Sequence, residues 1–172
     1  MTDSVQENSQ LLAAFRNAMR HVAATVYAVT TSNYGQRYGI LATAVNSLSF
    51  DPPSLLACIN RDASVHDPLV AQGKFCVNVL AQANRDVAEH FMIPTAPDRF
   101  SVGSWVDVEG VPVLESAQSS FVCKLAAIHE FGTHSIAIGE LLEARHRMDA
   151  APLTYFDRGY IDITGAPEHG ER

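Results

Sequence analysis

The residues Ala42-Thr43-Ala44-Val45-Asn46-Ser47-Leu48-Ser49 combine small side chains with hydroxyls and run straight into Phe50-Asp51-Pro52-Pro53. A strand that only packed would alternate such residues with larger ones. Small side chains let a flat heteroaromatic ring approach the main chain. Its N–H and C=O groups then match donors and acceptors of the kind found along a flavin's pyrimidine edge, and the hydroxyls remain for ribityl or phosphate oxygens. The composition alone is equally compatible with a barrel strand bent at small residues.

Other chemistries lack their residue patterns. The ten glycines form neither Gly-x-Gly-x-x-Gly nor a loop ending in Gly-Lys-Ser/Thr, which disfavours Rossmann and P-loop nucleotide sites. His129-Glu130 and His134 superficially suggest a zinc protease helix. Spacing of five turns the two histidines about 140° apart on a helix, and Gly132 opposes that helix, so no metal site is expected. No Gly-x-Ser-x-Gly elbow exists. A hydrolase with a convergent Ser/His pair stays open as a third reading. His21, His90, His146 and His169 read as solvated or capping side chains. Cys58, Cys76 and Cys123 stand singly in apolar strand-like segments and read as core thiols.

The elements that must position these residues fit one domain, since 172 residues can bury one core. The 47% apolar and 18% charged content is that of an ordinary globular protein. A net charge of −7 without a Lys/Arg run argues against nucleic acid. No apolar run approaches the roughly 20 residues of a membrane span, and the polar, acidic start is not a signal peptide, so a cytoplasmic location is the default expectation.

Apolar spacing predicts an amphipathic helix over residues 9–22, packing on something. Residues 24–31 and 38–49 are β-rich around the turn residues Asn33-Tyr34-Gly35, predicting a first hairpin. Asp51-Pro52-Pro53 is expected to stop pairing. A buried strand follows over 54–60, then a short helix capped by Ser64 and ended by Gly73, and another buried strand over 74–80. Residues 83–92 read as a second short helix. Residues 93–110 read as the longest irregular stretch and a lid candidate. Runs 119–130 and 134–145 form a hairpin around Phe131-Gly132-Thr133, residues 154–163 supply one last strand, and 165–172 should fray. Seven or so strands with few helices predict a mainly β antiparallel barrel.

The chain also resembles the flavin reductase family, the small reductase components of two-component flavin monooxygenases and their FMN-binding split-barrel relatives. The matching stretches are 39–53, 60–64, 73–80, Arg99-Phe100, 132–140 and 152–160, in consistent order from about residue 12 to 163. The resemblance implies a homodimeric split β-barrel of Greek-key type, one domain over 1–172 with its core at about 12–163 between polar tails. It implies binding of FMN or FAD and oxidation of NADH or NADPH.

By position, Thr43, Ala44 and Val45 would line the isoalloxazine with Asn46, Ser47 and Ser49 nearby. Asn60, Arg61 and Ser64 would take the ribityl-phosphate end, which suits a cation beside a capped helix N-terminus. His134 matches the histidine of the family's Gly-Asp-His turn and would lie beside flavin and nicotinamide, although Thr133 replaces the acid. Its plain alternative is a turn histidine bonding backbone. Arg99 and Phe100 would help position the nicotinamide. Phe156, Arg158 and Tyr160 would approach the cofactor on the closing strand, where Asp157 departs from the usual basic and aromatic run.

Such a site needs little acid–base chemistry, because the cofactors carry the hydride transfer. The implied activity is an NAD(P)H-dependent flavin reductase supplying reduced flavin to a partner oxygenase. Two alternatives remain: a flavoenzyme that keeps its flavin and reduces another acceptor such as a cobalt corrin, and a flavin-binding protein without turnover.

Overall fold

The computed structural model describes residues 2–93 and 98–163, without the side chains of residues 2–5 and 7. The expected fray at 165–172 and His169 lie outside the described residues. Helix α1 (Thr2–Arg20) is followed by strands β1 (Ala24–Thr25), β2 (Tyr27–Asn33), β3 (Gln36–Ala42), β4 (Val45–Phe50) and β5 (Pro53–Asn60). Then come α2 (His66–Gln72), β6 (Lys74–Val79), a 3₁₀ turn (Gln82–Asn84), α3 (Arg85–Phe91) and a second 3₁₀ turn (Arg99–Ser101). The chain closes with β7 (Trp105–Val108), β8 (Val111–Leu114), β9 (Ser119–Phe131), β10 (His134–His146), β11 (Thr154–Phe156) and β12 (Gly159–Ile161).

Seven strands form one antiparallel sheet in the order β3-β2-β6-β9-β10-β5-β4. Strands β3 and β4 are consecutive in the chain yet occupy its opposite edges. A flat sheet would hold those edges about 29 Å apart at about 4.8 Å per strand step. The Ala42-to-Val45 link of three Cα steps reaches only about 11 Å. The sheet must therefore curl into a barrel whose seam lies between β3 and β4. This is the split β-barrel that the resemblance implies.

Both faces of the sheet are covered. Inside the barrel pack Val29, Leu55, Ile59, Phe75, Val77 and Cys123 with Leu69 of α2. On the other face, Ala28, Leu80 and Leu114 pack with Val87 and Phe91 of α3. The β7–β8 hairpin covers β6 and β9 through Val111, Val113, Cys76 and Val122. It is tied down by the Asn78 side chain, which accepts from the Leu114 N–H at 2.8 Å and donates to the Ala28 carbonyl at 3.1 Å.

Several expectations are corrected. The run over 38–49 is two strands broken at Thr43-Ala44, because the chain has to cross the seam there. Asp51-Pro52-Pro53 does not end pairing; it turns the β4–β5 hairpin, with Pro53 paired to Phe50. As the first residue of an otherwise paired strand, Pro53 sits where a missing N–H is tolerated. The final strand is a β11–β12 hairpin turned at Asp157 and Arg158, both at positive φ. Residues 93–110 are less irregular than expected, since β7 falls among them, and 94–97 lie outside the described residues.

Helix α1 begins at Thr2, ahead of the expected start at residue 9, and ends at Arg20. Among the described residues the apolar face of this helix finds no core to pack on; its last residue is tied by the Asp157 N–H to the Arg20 carbonyl at 2.9 Å. Leu11 (69%), Phe15 (61%) and Met19 (50%) are exposed along one face. Among the described residues no helix is long and apolar enough to cross a membrane.

Candidate active site

The seam corner is the part of the barrel that the sheet itself leaves open. No ladder partner faces Thr43 or Ala44 among the described residues; a bond from the Cys58 N–H to the Ala44 carbonyl at 2.9 Å holds the corner. Both residues are exposed, while Val45 turns inward and is buried. Two residues beyond Cys58, Asn60 ends β5 and faces His134 across the sheet. Thr43, Ala44, Asn60 and His134 therefore share one rim of the barrel.

Three hollows lie along β3 and β4. One of about 500 Å³ is lined by Gly39, Tyr38, Ser64, Arg99 and Phe100 together with residues 35–37 and Asp98. Arg99 is held there by donating to the Gly39 carbonyl at 2.8 Å. A Cβ at Gly39 would come within 2.9 Å of Phe91 and 3.3 Å of Phe100, so glycine is what keeps this strand flush with the aromatic wall. Further along β3, a hollow of about 180 Å³ is lined by Leu41, Ala42, Thr43, Met92, Tyr155 and Tyr160. The third, of about 460 Å³, opens beyond Val45. Tyr27, Leu55, Phe121 and Leu141 form its apolar wall, and Asn46, Ser47 and Ser49 stand on its rim.

The segment that looks continuous in sequence is thus divided at Val45. Thr43 faces the β3 side with Tyr160, and Asn46, Ser47 and Ser49 face the other cavity. Arg99 and Phe100 come together with Ser64, but Arg61 does not join them. Its guanidinium is 2.8 Å from Glu130 Oε2 and 2.7 Å from the Gly132 carbonyl, and it lines a separate polar hollow with Asp62, His66, Asp67 and Thr133. Ser64 is not a helix cap either: Val65 occupies that position, with no side-chain cap bond, and Gly73 ends α2 at φ 67°.

Phe156 packs edge-on against His21 at 6.0 Å and Arg158 occupies an exposed turn. Neither lines the hollows described here. Tyr160 has Arg85 over its ring at 5.5 Å, and burial raises its phenol pKa.

His134 is exposed, with Nδ1 2.9 Å from Thr133 Oγ1, so a hydroxyl stands where the resemblance leads one to expect an acid. Of the other histidines singled out in sequence, His21 bonds the Asn17 carbonyl and His90 the Asp98 carbonyl nearby in the chain, while His146 meets the Ser119 hydroxyl across the β9–β10 ladder. The described structure contains one Ser/His/Asp series, Ser135–His66–Asp67, but Ser135 is fully buried and cannot meet a substrate. Sequence reasoning passed over His66, whose partner lies 69 positions away. It also passed over Gly39 and Tyr38 as lining residues, although Gly39 opens the motif that drew attention. The cysteines are free; Cys76 and Cys123 are buried, and burial pushes the Cys123 thiol up to about 12 and Cys76 further still.

The donor set fits a flavin. It offers exposed main chain at the Thr43-Ala44 corner, where the Ala44 carbonyl is already bonded to Cys58, for a ring edge, aromatic and aliphatic walls for a tricyclic face, and a cation with hydroxyls for phosphate and ribityl oxygens.

Residues 19–164 match the family described as flavin reductase like domain. The chain is 42% identical over 149 residues to the FMN reductase (NADH) RutF of Pseudomonas syringae, covering 86% of this chain and 84% of that protein. It is 38% identical over 151 residues to the 4-hydroxyphenylacetate 3-monooxygenase reductase component of Pseudomonas aeruginosa, covering 86% and 89%. The NADH:FAD oxidoreductase SgcE6 of Streptomyces globisporus superposes with a TM-score of 0.81 at 26% identity, over 91% of this chain and 90% of that one. With an open seam corner of the right chemistry and a match over most of its length, the chain belongs to the flavin reductase family.

Proposed function

We propose that this protein is an NAD(P)H:flavin oxidoreductase, acting as one domain, whose reduced flavin serves a partner oxygenase. The observation that carries the reading is the exposed Thr43-Ala44 corner outside the sheet ladders, with Tyr160 beside Thr43, and a second hollow along β3 that holds Arg99 and Ser64. A bound flavin supplies the chemistry by accepting hydride from the nicotinamide. The chain binds and orients. Thr43 and Ala44 present backbone to the ring edge, and Val45 backs it from the core. Arg99 and Ser64 hold the phosphate end, Phe100 and Tyr160 wall the groove, and Asn60 and His134 border the face that the nicotinamide enters. Asn46, Ser47 and Ser49 contribute an amide and hydroxyls from beyond Val45.

A relative that is a reductase component of a monooxygenase supports delivery of reduced flavin to an oxygenase. We propose a cytoplasmic location, in keeping with the free thiols. We also propose a homodimer, because an isolated helix gains its stability from packing and α1 exposes an apolar stripe. Light scattering should give twice the chain mass for wild type and a lower mass for Leu11→Glu/Phe15→Glu; an unchanged mass in the variant would remove α1 from the interface.

The function itself is tested by mixing catalytic amounts of protein with NADH or NADPH and excess FMN or FAD under anaerobic conditions. Bleaching of the flavin absorbance over many turnovers is expected. Binding without bleaching would identify a passive flavin binder.

A further inference from the structure

We infer that His66 is a positioning residue that fixes the start of β10, and with it His134, against the loop of residues 60–65; this rests on the functional reading above. The imidazole bridges two segments far apart in sequence. Its Nε2 lies 2.9 Å from Ser135 Oγ and its Nδ1 lies 2.8 Å from Asp67 Oδ1. Ser135 is wholly buried and the His66 side chain is 12% exposed, whereas the Asp67 side chain is 94% exposed. Carboxylate, imidazole and hydroxyl stand in the order of a hydrolytic relay, but the hydroxyl is sealed in the core. What the series can do is hold.

The consequence for His134 follows from the pleat, since adjacent residues of a strand point to opposite faces. Holding Ser135 inward commits its neighbour His134 to the outer rim, opposite Asn60. The same junction is tied from the solvent side by Arg61, through its N–H to the Thr133 carbonyl at 3.0 Å and its guanidinium to Glu130 and the Gly132 carbonyl. Those side-chain ties are solvent-exposed and compete with water, whereas the His66–Ser135 bond is shielded. His66 therefore sets the geometry of the turn more firmly than Arg61 does. It ties the segment that follows β5 to the turn bearing His134, so its loss frees that turn while the flavin-binding residues keep their own contacts.

Hydrogen exchange on the ligand-free protein, with binding and kinetic measurements, tests this. In His66→Ala, amides over residues 130–136 should exchange about tenfold faster while β6 is unchanged. The FMN dissociation constant from flavin fluorescence should stay within about twofold, and KM for NADH should rise about fivefold with kcat within about twofold. Ser135→Ala should reproduce the phenotype, the double variant should add nothing, and His66→Gln, whose side-chain amide can reach Ser135, should restore it. Should His66→Ala fail to fold, Ser135→Ala and His66→Gln carry the same comparison. Wild-type exchange over 130–136, an unchanged KM for NADH, or FMN affinity falling in parallel with KM would each overturn the inference. Absence of flavin reduction by wild type would instead refute the functional reading, and the exchange rates would still decide whether His66 holds the turn.

Discussion

Strands β6 and β4 have the same length, six residues, and belong to the same sheet, yet they differ in almost every other respect. β6 is paired on both sides, by β2 and β9, and five of its residues are buried. β4 is an edge strand paired only with β5, and its single buried residue is Val45. β6 is apolar apart from Lys74 at its start and the internally satisfied amide Asn78; β4 intersperses Asn46, Ser47 and Ser49 with the exposed Leu48 and Phe50. Edge strands invite unwanted pairing, and polar residues blunt that tendency. Here the same residues leave backbone and hydroxyls free for a ligand. Stability and binding are thus assigned to different strands of one barrel, and perturbations of the two should separate cleanly.

The largest effect is expected in the barrel interior. A Cβ at Gly139 would lie 2.5 Å from Phe75 Cζ and 2.7 Å from Cys123 Cβ, beside a bulge in the β9–β10 ladder. Gly139→Ala should cost about 3 kcal/mol, or roughly 6–12 °C in Tm, by overpacking. Calorimetry with and without flavin checks this. A Tm within a degree of wild type would show that the interior tolerates change as the edge does.

Next in size is an alkaline effect of the same region. The Cys123 thiol is held up to about 12 by burial, and Cys76 higher, chiefly by burial and then by Cys123. In the unfolded chain both ionise near about 8.5. The stability that depends on neutral thiols is fully present below that pH. It is lost as pH rises towards 12, at up to about 1.4 kcal/mol per thiol per pH unit. Urea unfolding between pH 8 and 10 should show this decline, and Cys76→Ala/Cys123→Ala should flatten it. An equal decline in the double variant would place its origin elsewhere.

At the open edge the effects move from stability to binding. Arg99→Ala, removing a cation and its bond to Gly39, should weaken flavin binding about tenfold to thirtyfold. Ser47→Ala should weaken it about twofold to fivefold, as for one neutral hydrogen bond. Fluorescence titration gives the affinities, and an unfolding free energy within about 1 kcal/mol of wild type is expected for both. Unchanged affinity in Arg99→Ala would remove the β3 hollow from the site, and a larger loss in Ser47→Ala would shift the site to the cavity beyond Val45.

Much of the site's composition was legible locally. The density of small and hydroxyl residues marked the edge strand β4 and the corner before it, and the turn residues placed the β2–β3 and β9–β10 hairpins. Less legible was anything that depends on which segments meet. Ser64 looks like a helix cap because its type and position suit one, but the helix starts later and no cap bond forms. Arg61 and Ser64 lie three apart in sequence, yet Glu130 draws Arg61 into one hollow while Ser64 faces Arg99 in another.

By itself the sequence determined the mainly β character, the β2–β3 and β9–β10 turns and the small, hydroxyl-rich make-up of the 42–49 segment, because pleat periodicity and turn chemistry are properties of neighbouring residues. Only the tertiary structure decided that β3 and β4 part at Thr43-Ala44, that Val45 divides the candidate ligands between two faces, and that His66 holds Ser135. Those outcomes depend on barrel closure, which joins positions that no local pattern relates.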